Sequence, residues 1–137
     1  MTKVLVFGTF DGLHPGHIDF FCQAKKLGDY LIVVVARDFT VQAVKGHAPK
    51  QNEVLRLKKV SQNEFVNEAI LGNETDPYQI IKKIQPDIIG LGYDQQVFTK
   101  NLEAIVQNLG VNAKIVRFQA YKPKIYHSSL IDGREAN

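Results

Sequence analysis

The sequence predicts an α/β fold, a Rossmann-like open parallel sheet of five strands with helices on both faces. Apolar runs rich in β-branched residues alternate with stretches of helical spacing about five times along the 137 residues, which is the pattern of a parallel sheet. The runs are continuously apolar, as expected of strands buried on both faces. Ligands of such sheets bind beyond the carboxyl ends of the strands, so residues that follow strands are the first candidates for function.

The first third of the chain contains the clearest elements. Residues 3–8 form a β-branched run that ends in glycine, which predicts a buried strand. Residues 18–27 follow helical spacing, and Gly28 is a candidate C-cap that would end this helix. Residues 29–36 form a second continuous apolar strand, whereas residues 37–50 are polar, contain a glycine and a proline, and are predicted to form a long loop.

The remaining elements are predicted from the same signals. Residues 51–62 look like a charged helix, and residues 77–84 combine a proline in the first turn with isoleucines on one face. Residues 95–109 form a helix that Gly110 ends. The further strands are residues 64–71, 87–91 and 113–118. From residue 120 onward the chain is polar, and we expect an irregular tail, 120–137, that flanks the active site.

The composition is that of a single globular domain, 1–137. Apolar residues make up 45% and charged residues 23% of the chain, which are ordinary values. The 17 basic and 14 acidic residues give a net charge of +3, and they are scattered, so a small anionic ligand is favoured over nucleic acid. One cysteine excludes an internal disulfide, and no apolar run approaches the ~20 residues of a membrane span. The chain start lacks a signal-peptide layout, so we expect a cytoplasmic protein that does not bind membranes.

The densest signal is the loop after the first strand, which reads Gly-Thr-Phe-Asp-Gly-Leu-His-Pro-Gly-His at residues 8–17. It leaves a strand and enters a helix, where backbone N–H groups and the helix dipole favour anions. His14 and His17 are three residues apart with Gly16 between them, so their rings can converge and donate hydrogen bonds to phosphate oxygens. The loop matches neither the Walker A pattern nor GxGxxG.

Two other interpretations of the histidine pair stay open at this point. The rings could serve as a helix cap and a helix-face residue, without any ligand. They could also bind zinc, although no cysteine lies in the motif and the other two histidines, His47 and His127, are distant and isolated.

The motif Gly-Thr-Phe-Asp-x-x-His-x-Gly-His resembles the signature of the cytidylyltransferase-like nucleotidyltransferases, which are α/β proteins of the HIGH-type superfamily. The similarity to archaeal-type FAD synthases extends over almost the whole chain. It is carried by residues 24–31, 35–38, 41–49, 53, 56, 69–72 and 86–95. Leu-Gly-Tyr-Asp-Gln at 91–95 favours these enzymes over the glycerol-3-phosphate cytidylyltransferases, which share the opening motif. Those synthases have Lys-Ser-Ser where this chain has His-Ser-Ser at 127–129.

The resemblance implies an enzyme that transfers a nucleotidyl group from a nucleoside triphosphate to a phosphorylated acceptor, with ATP and FMN as the expected substrates and pyrophosphate as the product. The implied catalytic residues are His14, His17 and Lys45. The implied nucleotide-binding residues are Thr9, Phe10, Asp11, His14, Gly16, His17, Gly92, Tyr93, Asp94, Ser128 and Ser129. The candidate acceptor-binding residues are Arg56, Tyr121 and His127. We expect Mg²⁺ as the cofactor, with Asp11 as its candidate ligand, and a homodimer is possible because relatives are often dimers.

Several of these residues have simpler interpretations. Asp11 could cap the first helix, and Lys45 could be a solvated loop lysine. Arg56 could form a helix-surface salt bridge with Glu53, three residues away. Gly92 and its neighbours could form a tight turn, the two serines could be helix caps, and Tyr121 could be a core residue.

Two other functions are consistent with the opening motif. The first is a CTP-dependent cytidylyltransferase that acts on glycerol 3-phosphate or a similar phospho-alcohol. The second is a nucleotide-binding module without turnover. The product formed with each nucleotide distinguishes them.

Overall fold

The computed structural model describes residues 1–72, 76, 78–92 and 102–121. Its elements, in chain order, are β1 (Lys3–Gly8), α1 (Pro15–Lys25), β2 (Tyr30–Val35), α2 (Asp38–Lys45), α3 (Glu53–Ser61), β3 (Glu68–Leu71), α4 (Tyr78–Ile84), β4 (Ile88–Leu91), α5 (Leu102–Asn108) and β5 (Lys114–Arg117). The strands form one parallel sheet in the order β3-β2-β1-β4-β5. This confirms the predicted fold class.

The central strand β1 contributes to two separate cores, because successive side chains of a strand point to opposite faces of the sheet. Val4 and Val6 lie in a cluster with buried residues of α1 and α3. Leu5 and Phe7 lie in the other cluster, with buried residues of α4 and α5. Helices therefore cover both faces of the sheet, as the continuous apolar runs predict.

The strand order reverses between β1 and β4. The chain passes from β1 through β2 to β3 on one side, and β4 and β5 lie on the other side. In the paired register, Val6 of β1 lies opposite Gly90 of β4, so the carboxyl ends of both strands meet at one edge. This is the switch point at which open parallel sheets bind ligands.

The helices of the described residues include none with the length and apolar character of a membrane-spanning segment.

The prediction of a long loop over residues 37–50 was wrong, because α2 occupies most of that segment. This helix has no side-chain cap at its N-cap Arg37, and Val41 is its only buried residue. It is fixed by contacts from α3: Arg56 Nη2 donates to the Asp38 carboxylate at 2.8 Å, and the Glu53 carboxylate accepts from the Asp38 N–H at 2.8 Å. Tertiary contacts rather than a hydrophobic stripe form this helix.

The expected role of Gly28 as a C-cap was also wrong. The C-cap of α1 is Lys26, in a right-handed conformation. Gly28 is required for another reason, since a Cβ at this position would lie 2.7 Å from the Thr2 carbonyl oxygen. Gly110, in contrast, has a φ of +74° just after α5, which is the left-handed conformation that ends a helix. The predicted start of that helix, residues 95–101, lies outside the described residues.

The fold predicts a specific sensitivity at Gly90, on which the Phe118 ring packs. A Cβ at Gly90 would lie 2.3 Å from Phe118 Cζ, and both residues are buried. We expect Gly90→Ala to reduce the free energy of unfolding by about 1–3 kcal/mol through overpacking, as measured by denaturant titration. Gly72→Ala is the matched control, because its Cβ would meet Val34 at an ordinary 3.5 Å and the change should stay within about 0.5 kcal/mol. Equal stability of the two variants would refute this account of Gly90.

Candidate active site

Part of the predicted site lies at the switch point. The loop that follows β1 runs from Thr9 to His14 and leads into α1, and Gly92 directly follows β4. The Gly92 carbonyl accepts a hydrogen bond from Arg117 Nη1, at the end of β5, at 2.7 Å. The ends of three strands therefore contribute to one edge of the sheet.

The two histidines of the motif cap α1 by the same interaction. His14 is the N-cap, and its Nδ1 accepts a hydrogen bond from the Gly16 N–H at 3.1 Å. His17 is the third residue of the helix, and its Nδ1 accepts one from the His14 N–H at 3.3 Å. This is a reciprocal capping box in which two imidazoles replace the usual Ser or Thr and Glu or Gln. The structure therefore confirms that one ring is a helix cap, and it shows that His17, interpreted as a helix-face residue, also takes part in the cap.

These two bonds fix the tautomer of both side chains. A neutral imidazole has one N–H donor and one acceptor nitrogen. Because each Nδ1 accepts a backbone N–H, the proton of each neutral ring is on Nε2. The cap thus places an Nε2–H donor on both histidines, a group that can bind a phosphate oxygen. This donor belongs to an exposed ring in His14, whereas the Nε2 atom of His17 is buried.

The rings of His14 and His17 also lie side by side, with centroids 3.8 Å apart and planes inclined by 25°. The cap and the stacking therefore hold the two rings together as one unit at the start of α1.

The two rings differ in exposure. His17 is 6% exposed, and its ring meets Phe10 edge to face at a centroid distance of 5.4 Å. His14 is exposed and lines an open cavity of about 600 Å³ together with Leu13 and Tyr121. One ring is thus anchored in the core, and the other lies at the protein surface, in an open cavity that extends along α1 as far as Cys22. Tyr121, an acceptor-binding candidate, lies beside His14.

Gly16 is required by the His14 ring. A Cβ at this position would lie 2.9 Å from His14 Cε1 and 3.1 Å from its Nδ1. The ring can accept the Gly16 N–H because no side chain separates them. The glycine at position 16 therefore allows the His14 imidazole to lie close to the backbone.

Phe10 fixes the middle of the loop. Its φ is +53°, a left-handed conformation that is uncommon for a residue with a bulky side chain. The ring is buried against Phe21, with centroids 5.2 Å apart. It also covers Gly8, where a Cβ would lie 2.5 Å from the ring. Packing of the ring therefore stabilises a backbone conformation that is otherwise unfavourable.

Asp11 ties the loop to the segment before α3. Its two carboxylate oxygens accept hydrogen bonds from the backbone N–H groups of Lys50 and Gln51, at 2.7 Å and 2.8 Å. The alternative that Asp11 caps α1 was wrong, because His14 holds that position. Among the described residues, no group of three or more His, Cys, Asp or Glu side chains could hold a metal ion. The two contacts of Asp11 anchor the loop to the segment before α3, and its candidate role as a metal ligand stays a prediction.

Arg56, a candidate acceptor-binding residue, lies inside the protein. Its side chain is wholly buried, and its guanidinium donates to the Thr9 carbonyl at 2.8 Å. The alternative of a surface salt bridge with Glu53 was also wrong, because Glu53 pairs with Arg37 at 3.1 Å. The burial arises from α3, which packs Arg56 and Val60 toward the sheet.

The structure does not bring every candidate together. Lys45 is exposed in the last turn of α2, a helix rather than the expected loop. The predictions for Tyr93, Asp94, His127, Ser128 and Ser129 lie outside the described residues.

Sequence reasoning considered Arg56 but did not predict the charged cluster to which it belongs. Arg37 and Asp38 lie shortly after the end of β2, and they contact Glu53 and Arg56. Arg37 Nε also donates to the carbonyl of Gly72, which follows β3, at 3.0 Å. Their position shortly after a buried strand was a signal that could have identified them.

Comparison with known proteins decides the family. The model of the cytidylyltransferase-like family matches residues 5–133. This chain belongs to the cytidylyltransferase-like family. The predicted resemblance to FAD synthases is confirmed as well. This chain is 48% identical over 124 residues to the FAD synthase of Methanosarcina mazei, and the match covers 89% of this chain and 80% of that protein. It is 43% identical over 134 residues to the FAD synthase of Picrophilus torridus, covering 96% and 94%.

Solved structures agree on the fold of this cytidylyltransferase-like protein. A protein from Thermoplasma volcanium, described as a lipopolysaccharide core biosynthesis protein, superposes with a TM-score of 0.85 at 43% identity, covering 89% of this chain and 99% of that one. The pantoate-β-alanine ligase of Francisella tularensis superposes with a TM-score of 0.63 at 16% identity, covering 96% and 67%. The second likeness concerns the fold alone.

The capping geometry predicts the protonation pattern of the histidine pair. In ¹⁵N NMR spectra at neutral pH, we expect both His14 and His17 to show a protonated Nε2 and an unprotonated Nδ1, because each Nδ1 accepts a backbone N–H. His47 is the internal comparison, since its Nδ1 lies 3.0 Å from the Ala48 carbonyl and should carry the proton. An Nδ1–H signal from either motif histidine would contradict the assigned cap.

Proposed function

We propose that this chain transfers the adenylyl group of ATP to the phosphate of FMN, producing FAD and pyrophosphate. The observation that carries the proposal is the stacked pair of imidazoles at the switch point, with each Nδ1 held by the backbone. The similarity to archaeal FAD synthases over most of the chain supports the choice of ATP and FMN.

The reaction is an in-line displacement at the α-phosphorus of ATP. A phosphate oxygen of FMN forms a bond to this phosphorus, and the bond to the bridging oxygen of the β-phosphate breaks. The electron pair of that bond leaves with pyrophosphate. Because the nucleophile is already an anion, the protein needs no side-chain nucleophile; it positions two anions and stabilises the charge that develops on the leaving group.

His14 and His17 are suited to the leaving side of this reaction. A ring that accepts a hydrogen bond at Nδ1 becomes a better donor at Nε2, because hydrogen bonds in a chain polarise one another. The backbone N–H groups of the first turn of α1 thereby act on the phosphates through the imidazoles. The dipole of α1 adds a favourable field for an anion at this end of the helix.

Magnesium enters this mechanism as part of the substrate. Among the described residues no cluster of ligands forms a complete cation site, which supports a cation shared with the phosphates. We propose that Mg²⁺ arrives with the triphosphate and reduces the repulsion between ATP and FMN.

The remaining candidates surround the same edge of the sheet. Gly92, at the end of β4, has no side chain that would obstruct the nucleotide. Lys45 carries a positive charge on α2, and Tyr121 offers an aromatic face beside His14. We propose that Gly92 borders the nucleoside, that Lys45 approaches the phosphates, and that Tyr121 contacts the flavin.

Two substitutions at His14 separate its chemical role from its role as a cap. Asparagine is among the best N-caps, so His14→Asn keeps the cap but removes the Nε2–H donor. We expect His14→Asn to lower kcat by about 10²–10³-fold, the usual cost of losing a donor to developing charge, with Tm near that of the wild type. His14→Ala should lose both activity and about 1 kcal/mol of stability.

The assay measures FAD and pyrophosphate formed from ATP and FMN in the presence of Mg²⁺. Parallel reactions replace ATP by CTP and FMN by glycerol 3-phosphate. Product formed only from CTP and glycerol 3-phosphate would replace the proposal with a cytidylyltransferase, and nucleotide binding without any product would replace it with a binding module. Full turnover by His14→Asn would remove His14 from the mechanism.

A further inference from the structure

Arg56 is the largest of the fully buried side chains among the described residues. A guanidinium is always protonated in proteins, so a permanent positive charge lies inside the molecule. Buried charges of this kind need partners, because the loss of hydration costs several kcal/mol. The partners of Arg56 identify what the charge does.

The guanidinium joins three segments that end at the carboxyl edge of the sheet. Nη1 donates to the Thr9 carbonyl in the loop after β1, at 2.8 Å. Nη2 donates to Asp38, at the start of α2 after β2, at 2.8 Å. Nε donates to the Gln51 carbonyl, before α3, at 2.9 Å. A planar fork of donors directed to three acceptors fixes their relative positions in a way that one ammonium group cannot.

The bond to Thr9 acts on a particular peptide unit. The Thr9 carbonyl and the Phe10 N–H are the two ends of the same peptide group. Among the described residues, the Phe10 N–H donates to no backbone acceptor, whereas the Phe10 carbonyl accepts from the Gly12 N–H at 3.0 Å. A cation at the carbonyl end polarises the peptide and strengthens the N–H at the other end as a donor.

We propose that Arg56 is a positioning residue that holds the Thr9–Phe10 peptide so that its N–H binds the polyphosphate, and that Arg56 itself contacts no substrate. The inference rests on the proposed function, because it places the polyphosphate in this loop. It assigns Asp38 as the residue that orients the guanidinium. The acceptor phosphate is bound elsewhere.

Arg56→Lys tests this role, because lysine keeps the charge but cannot reach all three acceptors. We expect the KM for ATP and the Kd for inorganic tripolyphosphate, measured by calorimetry, to rise by about 10- to 100-fold, the usual cost of misplacing a binding group. The KM for FMN should stay unchanged. In NMR spectra, tripolyphosphate should shift the Phe10 amide signal of the wild type and not that of the variant.

Arg37→Lys is the matched control. Arg37 belongs to the same charged cluster and bonds to Glu53 and Gly72, but none of these contacts involves the loop after β1. We expect this variant to bind tripolyphosphate and ATP as the wild type does, even if its Tm is lower. Equal weakening by the two variants would overturn the proposal, because the effect would then belong to the cluster as a whole.

Two other results would also overturn it. A selective rise in the KM for FMN would show that Arg56 binds the acceptor. A lower Tm with unchanged affinity for ATP and tripolyphosphate would show that Arg56 only stabilises the fold. If Arg56→Lys does not fold, Asp38→Asn is the alternative test, since Asp38 is partly exposed and the asparagine amide keeps the shape of the carboxylate. We expect Asp38→Asn to weaken tripolyphosphate binding by a smaller factor than Arg56→Lys. Unchanged binding by Asp38→Asn would refute the proposal.

Failure of the proposed function is distinguishable from failure of this inference. A wild-type protein that binds tripolyphosphate but forms no FAD would refute the function, and the comparison of Arg56→Lys with Arg37→Lys by calorimetry would still decide the role of Arg56.

Discussion

The candidate site depends on two backbone N–H groups that donate to the Nδ1 atoms of His14 and His17. These bonds begin α1, set the orientation of both rings, and place the proton of each neutral ring on Nε2. Helix capping therefore uses Nδ1 of each side chain, and the proposed contact with the phosphates uses the opposite nitrogen. The absence of a side chain at Gly16 is a condition for this arrangement, because the His14 ring occupies that space.

The loop before the helix is held from both sides. On the side of the core, the Phe10 ring packs against Gly8 and Phe21 and stabilises a left-handed backbone. On the side of α3, Arg56 and the contacts of Asp11 bind the loop to a neighbouring segment. A loop with so many fixed contacts can bind a polyphosphate with little loss of conformational entropy, which is the advantage of a pre-organised site.

The sequence was sufficient to predict the sheet and the position of the histidine loop at the end of β1. Continuous β-branched runs are unambiguous for buried parallel strands, and the loop at residues 8–17 concentrates glycines and histidines where β1 ends. It was not sufficient for α2, which has one buried residue and is stabilised by Asp38 through contacts with α3. The sequence likewise did not predict that Arg56 is buried, since helical spacing does not reveal whether a charged residue faces solvent or a carbonyl of a distant loop. Long-range polar contacts leave no local pattern in a sequence.

In the proposed site, the groups that donate hydrogen bonds to the phosphates differ from the group that carries the buried positive charge. Three of the groups proposed to touch the phosphates, the two imidazoles and the Phe10 N–H, are donors whose orientations are fixed by the cap and the loop. The buried positive charge of Arg56 lies behind the backbone and reaches the loop through the Thr9 carbonyl. The other cation of the proposed site, Lys45, is exposed on the last turn of α2. Donors with fixed orientations stabilise developing charge on a leaving oxygen without reorganisation, and this is the contribution that the proposal assigns to the imidazoles and the Phe10 N–H.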